Sequence, residues 1–414
     1  VIKLLVLEYK IKAKKLQYLA IEEAIKTTQF IRNKCLRYWM DAPREAKIDR
    51  FALNKYSTEL RNEFKFVSNL NSMAVQSSAE RAWLAISRFY ENCQKKALGK
   101  KAENAFLGSP QVERFSKTGY PRFQHDNRSV EYKTSGWKLN SIKRRITITD
   151  KKGIGELKLL GKWDIQTYPV KSIKRVRLVR RADGYYCQFC IDVEASDIQP
   201  LTGNEIGLDV GIESFYTDSK GHQEANPKFY QKAETSVKHS QRRIYKKKKG
   251  SSGRKKARAI FARKHLRISR QRHEHAKRVA RNVCKSNDLV AYENLSVRNL
   301  LRNHCLAKSI SDASWYLFRQ WIEYFAGKFG KLAVAVAPHY TSQKCSNCGA
   351  VVKKSLSTRT HVCSCGCKLH RDENAAINIL NLARLARTGH VQSNAVGVGI
   401  TTLVGASLLE QILT

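Results

Sequence analysis

HYTSQKCSNCGAVVKKSLSTRTHVCSCGCKLHRDENAAINILNL, residues 339–382, joins two kinds of chemistry in one short run. Four cysteines come in two close pairs, Cys345/Cys348 and Cys363/Cys365, with fourteen residues between the pairs. That is the pattern of a zinc ribbon, in which two tight turns each deliver two thiolates to one tetrahedral ion. A glycine follows each pair, Gly349 and Gly366. The second pair has a single spacer residue, so Cys367 stands as an alternative fourth ligand, with His361 and His370 nearby. Four thiolates leave no open position, which makes such a zinc structural rather than catalytic. Seven residues after Cys365, Asp372 opens an apolar helix.

Two more carboxylates resemble Asp372 in setting. Asp209 interrupts the apolar strand in EIGLDVGIESFYTDSKG (205–221), and Glu293 ends the apolar strand in DLVAYENLS (288–296). A lone buried carboxylate is costly unless it is paired or bound to metal. The alternatives are a turn or capping Asp209 and a solvent-facing Glu293. Two strand ends and a helix start can meet at one edge of a mixed sheet. Three carboxylates there would hold two Mg²⁺ (or Mn²⁺) ions about 4 Å apart, one activating water and one stabilising a leaving 3′ oxygen. Hard oxygen donors suit magnesium and thiolates suit zinc, so the two metals should keep to their own sites.

Charge narrows the partner. The chain carries 77 basic and 35 acidic residues, net +42 over 414 residues. Self-repulsion of that size is tolerable beside a polyanion, and nucleic acid is the first candidate, ahead of an anionic membrane surface. Between Gln241 and His273 there are fifteen Lys/Arg and no acid, including Lys246, Lys247, Lys248 and Lys249. With no counter-charge for helical pairing, this run points to phosphate; a solvated face or a localisation signal is the plainer reading. Eleven cysteines, four at ligand spacing, suit a reducing compartment with a metal site better than a disulfide framework. No apolar run reaches the length of a membrane span. The opening VIKLLVLEYKIK, broken by Lys3 and Lys10, reads as a strand and not as a secretory leader.

In chain order, residues 1–12 form a first strand and 13–104 a helical bundle, with Ile21, Ala24, Ile25, Thr28, Ile31, Cys35 and Tyr38 at helical spacing. Residues 105–200 are β in texture. They have strand candidates at 129–133, 143–149, 156–160, 170–180 and 185–193, and a hairpin signal at Asp183-Gly184. The first strand and these later ones make one β-barrel, with the helices inserted. Basic residues at 174, 175, 177, 180 and 181 form either a solvated edge or a backbone-binding face. Cys187 and Cys190, three apart on a strand, point to opposite faces and read as packed thiols before a redox pair. Residues 201–338 and 370–389 form an α/β domain interrupted by the ribbon, 339–369. The apolar tail 390–414 has no functional reading. The fold class is therefore α+β and multidomain.

GLDVGIESFYTD, VAYENLSVRNL and YTSQKCSNCG…HVCSCGCKLHRDENAAINIL resemble the three split RuvC motifs and zinc ribbon of the TnpB family, encoded by insertion sequences and related to type V CRISPR effectors. The resemblance is specific from Gly203 to Leu382 and extends upstream in element order. It implies a wedge barrel with a helical recognition insertion, followed by an RNase H-like (RuvC) domain with an inserted ribbon. It implies an RNA-guided DNA endonuclease whose guide RNA comes from the transposon end and whose double-stranded target carries a short flanking motif. The family's catalytic carboxylates fall on Asp209, Glu293 and Asp372. Two features depart from the pattern: His370 stands where many relatives have an acid, and the second knuckle is CxC. Gln76 and Ser77 are candidates for reading base edges, and Tyr120 and Arg122 for stacking and backbone contact; helix-surface polarity and a barrel turn are the alternatives. A prokaryotic, cytoplasmic, nucleoid-associated monomer is expected. The rival readings are an unguided RuvC-like nuclease, a catalytically weak RNA-guided DNA-binding regulator, and a transposase.

Overall fold

The computed structural model describes residues 2–43, 45–104, 119–194, 197–355 and 358–387; the tail expected at 390–414 lies outside them. The chain divides between Val193 and Glu194 into two compact units.

The first unit opens with β1 (Ile2–Lys12), followed by helices α1 (Lys15–Asp41), α2 (Arg50–Glu63), α3 (Lys65–Ser68) and α4 (Ser72–Asn104). Asp49 caps α2 by accepting from the Ala52 amide at 2.8 Å, satisfying a donor the helix cannot. Ile21, Ala24, Ile25, Thr28, Ile31 and Cys35 are buried, so the helical stripe read in the sequence is a core face; Tyr38, at the end of that stripe, is exposed and stacks on Tyr56. Six strands follow: β2 (Ser129–Tyr132), β3 (Trp137–Asn140), β4 (Arg145–Ile148), β5 (Gly155–Leu160), β6 (Ile173–Arg181) and β7 (Gly184–Glu194). They pair with β1 in the order β2-β6-β7-β1-β5-β4-β3. Among the described residues β2 and β3 are the two free edges, so the expected barrel is an open, half-barrel sheet. β3 has no counterpart in the sequence reading: its residues alternate, but over only four positions, too few to stand out.

The basic strand β6 keeps its charge within this unit. Arg175 and Arg177 bind Glu131, Arg180 binds Glu22 and Asp126, Arg181 binds Glu8, and Lys174 lies 4.0 Å from Asp192. Cys187 and Cys190 are both buried, and burial pushes the Cys187 thiol up, as for packed thiols.

The second unit is built on a five-stranded sheet. Its strands are β8 (Glu205–Val210), β9 (Ser214–Asp218), β10 (Gln223–Ala225), β11 (Leu289–Glu293) and β12 (Leu332–Val336), in the order β10-β9-β8-β11-β12. The meander β8-β9-β10 is antiparallel, while β11 runs parallel to both β8 and β12. The crossover from β10 to β11 is made by α5 (Phe229–Tyr245) and α6 (Ser252–Ser286). From β11 the chain passes through α7 (Val297–Leu300), α8 (Ala307–Ala313) and α9 (Trp315–Phe329) to β12. A two-stranded ribbon, β13 (Thr360–Val362) and β14 (Lys368–His370), precedes α10 (Arg371–Arg387). One apolar core joins α6 and α9 to the sheet through Val279, Val290, Phe318 and Phe325. A second joins α10 to the sheet through Leu289, Ala291, Ile379 and Leu380. No described helix is long and apolar enough to cross a membrane.

Candidate active site and thiolate knuckle

β8 and β11 run parallel with Leu208 opposite Tyr292. The next residue on each strand is an acid, Asp209 and Glu293, so the two carboxylates occupy neighbouring positions at the same sheet end. α10 packs directly on β8, and Gly207 is what admits it. A Cβ at Gly207 would stand 2.0 Å from the Ala376 carbonyl oxygen and 2.9 Å from the Leu380 amide. A glycine inside a strand marks such a close approach, and this one brings the first turn of α10, with Asp372, to the strand that carries Asp209.

Asp209 feels both of the other acids. Burial pushes the Asp209 carboxyl well above its ordinary range, and the charges of Glu293 and Asp372 push it further; Arg371 works the other way. Burial also raises Glu293, opposed by the hydroxyl of Thr341, which donates to its Oε1. Arg371 donates to Asp372 Oδ1 at 3.0 Å. Asp209 is raised by burial and by its two acidic neighbours, and the side-chain donors of all three acids are oxygen. That donor set fits hard divalent cations. The oxygens are not all within 4.8 Å of one another, a closeness that the cysteine sulfurs do reach among the described residues.

The knuckle is compact. The ligand atoms of Cys345, Cys348, Cys363 and Cys365 lie within 4.8 Å of one another. Cys345 Sγ is 3.6 Å from Cys365 Sγ, and Cys348 Sγ is 3.5 Å from Cys363 Sγ. Four sulfurs around zinc at about 2.3 Å stand about 3.8 Å apart, so the residues fit zinc. Backbone amides of Cys348 and Asn347 turned toward Cys345 hold its thiol at about 5, favouring the thiolate. Cys367 falls in a separate set with Cys345 and His361.

The knuckle is seated on α10 by two asparagines that the sequence reading did not single out. Fully buried Asn374 accepts from the Ser346 amide at 2.9 Å and donates to the Lys344 carbonyl at 2.8 Å. Asn378 donates to the carbonyls of Thr341 and Lys344, each at 2.8 Å. Their i,i+4 spacing on the apolar side of NAAIN was a usable signal, as was Gly207 within an apolar strand. Thr341 had none.

The nucleic-acid candidates divide. Ser77 is corrected: it is 2 % exposed, and its hydroxyl donates to Glu131 Oε1 at 2.7 Å, so it does not face a base edge. Gln76 is half-buried on α4. Tyr120 is exposed, its ring 5.6 Å from Trp39 and 5.3 Å from Phe89; Arg122 is exposed, and its carbonyl accepts from Arg32. Lys246, Lys247, Lys248 and Lys249 are exposed at the turn between α5 and α6.

The family model "Probable transposase" matches residues 188–304, and "Cas12f1-like, TNB domain" matches 315–379. A Streptomyces pristinaespiralis protein named "Putative RNA-guided DNA endonuclease" is 39 % identical over 183 residues, 44 % of this chain and 46 % of that protein. The Acanthamoeba polyphaga mimivirus "TnpB-like protein L79" is 28 % identical over 124 residues, 28 % of this chain and 24 % of its own length. These matches make the chain similar to TnpB-family proteins. Another similar protein is the Escherichia coli (strain K12) "Putative RNA-guided DNA endonuclease InsQ", 27 % identical over 50 % of this chain and 56 % of that one. The chain thus spans about half the length of the curated relatives it matches first. The protein chain of a solved Cas12f1–sgRNA–target DNA complex aligns with 91 % of this chain and 99 % of its own, at 15 % identity and a TM-score of 0.33.

Proposed function

We propose that this chain is an RNA-guided DNA endonuclease of an insertion sequence, cutting phosphodiesters with divalent cations held by Asp209, Glu293 and Asp372. The observation that carries the reading is the meeting of three acids on two parallel strand ends and one helix start, with Asp209 and Glu293 driven above their ordinary range. Magnesium bound there would activate water and stabilise the leaving oxygen. The chain's own part is to hold the carboxylates in register, with β8 and β11 fixing Asp209 and Glu293, and Gly207 admitting the helix of Asp372.

On this reading, residues 201–338 and 370–389 form a RuvC-like domain, which the strand order β10-β9-β8-β11-β12 supports. Residues 339–369 are its zinc ribbon, and 1–12 with 105–200 a wedge domain interrupted by the 13–104 bundle. Guide RNA and target DNA would engage the basic surfaces, with Lys246–Lys249 on the second unit and the exposed Arg122 and Tyr120 on the first. The names of the relatives and the net charge of +42 support nucleic-acid partners. The test begins with RNA that copurifies with the chain. Its sequence should define a DNA target that the complex cuts in Mg²⁺. No discrete RNA, or equal cutting of unmatched DNA, would favour the unguided nuclease.

A further inference from the structure

Thr341 lies four residues before the first knuckle cysteine and is buried at 5 % exposure. It touches both sides of the candidate active site. Its hydroxyl donates to Glu293 Oε1, at the end of β11. Its carbonyl accepts from Asn378 Nδ2 at 2.8 Å, on the helix that carries Asp372. The turn that delivers it is unusual: Tyr340 adopts φ 60°, a left-handed conformation rare for a bulky side chain, while its own ring is exposed. The backbone bends here in a way that the Tyr340 side chain does nothing to reward.

Past Thr341 the connection to the thiolates is continuous. The Lys344 amide closes back on the Tyr340 carbonyl at 2.9 Å. The Lys344 carbonyl is held by both Asn374 and Asn378, and the Ser346 amide by Asn374. Cys345, between them, is gripped on both sides, and its own amide donates to Ala350 within the knuckle. The Glu293 carboxylate is thus joined to Cys345 by a short, hydrogen-bonded segment with both ends, Thr341 and Cys345, buried.

We infer that Thr341 is a positioning residue that ties the thiolate knuckle to Glu293, so that metal held by the thiolates and divalent cation held by the carboxylates strengthen each other's binding. This rests on reading Glu293 as a cation ligand. A fixed donor on one oxygen leaves Glu293 a single orientation to offer. A knuckle that loses its metal loses the geometry of residues 341–346, and with it that donor. Coupling between two binding sites is reciprocal, so it is readable from either end without a nuclease assay.

The test uses the zinc-loaded full chain and three variants: Thr341→Val, which keeps the shape and removes the donor; Thr341→Ser, which keeps the donor; and Asn378→Ala, which leaves the Thr341 hydroxyl but frees its carbonyl. Mn²⁺ affinity is measured by calorimetry. Zinc release to a zinc-selective indicator is timed with and without Mg²⁺. Loss of a hydrogen bond to a charged group predicts Mn²⁺ binding about tenfold weaker in Thr341→Val. The same variant should lose the slowing of zinc release by Mg²⁺, Thr341→Ser should retain both properties, and Asn378→Ala should fall between. Wild-type Mn²⁺ affinity in a zinc-loaded Thr341→Val, or zinc release indifferent to Mg²⁺ in the wild type, overturns the coupling while leaving Glu293 a ligand. A wild-type chain that binds no Mn²⁺ overturns both.

Discussion

Two acid sites, one in each unit, have opposite electrostatics. Glu131, 3 % exposed on β2, is met by Arg81 at 3.7 Å, Arg175 at 2.9 Å, Arg177 at 2.7 Å and the Ser77 hydroxyl. Burial alone would raise its carboxyl; Arg81, Arg177 and Arg175 more than offset that and, with Ser77, hold it at about 2. Asp209 is surrounded instead by Glu293 and Asp372, and it is raised. The first site is complete without a ligand. The second is a concentration of negative charge that a divalent cation would relieve. A buried carboxylate therefore does not by itself mark a catalytic centre; the sign of what surrounds it decides.

The comparison can be broken most sharply by deleting one acid from each site. Asp209→Ala or Glu293→Ala should lower DNA cleavage at least a thousandfold, with RNA and target binding kept; cleavage surviving in either variant would remove these acids from the chemistry. Glu131→Ala should remove the acid that three guanidiniums share and cost about 3 kcal/mol, the low end for a buried ion cluster because Arg175 stays 40 % exposed. Its signature is an earlier denaturant midpoint for the first unit. The pH dependence follows from the depressed pKa: Glu131 contributes stability above its ordinary value of 4.5, and that contribution is lost as pH falls toward 2. A Glu131→Gln variant should lose the acid-side slope between those values.

Asp209 carries the opposite sign. Its raised pKa means that the folded, metal-free chain holds the proton more tightly than the unfolded chain does. Stability therefore falls as pH rises from the ordinary carboxyl range toward the folded pKa. Asp209→Asn should melt higher than wild type at neutral pH without divalent metal, and no higher in acid, where both forms are neutral. Thermal melts in a chelator at the two pH values check this. The smallest effect is expected at the knuckle. Cys345→Ser with Cys348→Ser should abolish zinc binding and destabilise the second unit, reducing cleavage without removing a carboxylate. Full cleavage by a zinc-free protein would make the ribbon dispensable.

Much of the second unit was legible because its chemistry interrupts its periodicity. Asp209 and Glu293 stood out as charges on apolar strands, and the cysteines by their spacing. What stayed hidden was whatever depends on a distant partner. Ser77 read as a candidate for base edges, or as plain helix-surface polarity, because nothing local announced Glu131, 54 residues away. The basic strand around Arg177 offered a backbone-binding face until its acids on β1, β2 and α1 were in place. Thr341 had no pattern at all, since its role comes from a turn and from a helix more than thirty residues later.

The most direct measurement of the central claim is the stoichiometry of Mn²⁺ bound to the zinc-loaded chain, followed by electron paramagnetic resonance, in wild type and Asp209→Asn. The account predicts two bound ions in the wild type, close enough to couple magnetically, and loss of that coupled pair in the variant. An unchanged spectrum on replacing Asp209, or no bound Mn²⁺ in the wild type, would contradict it.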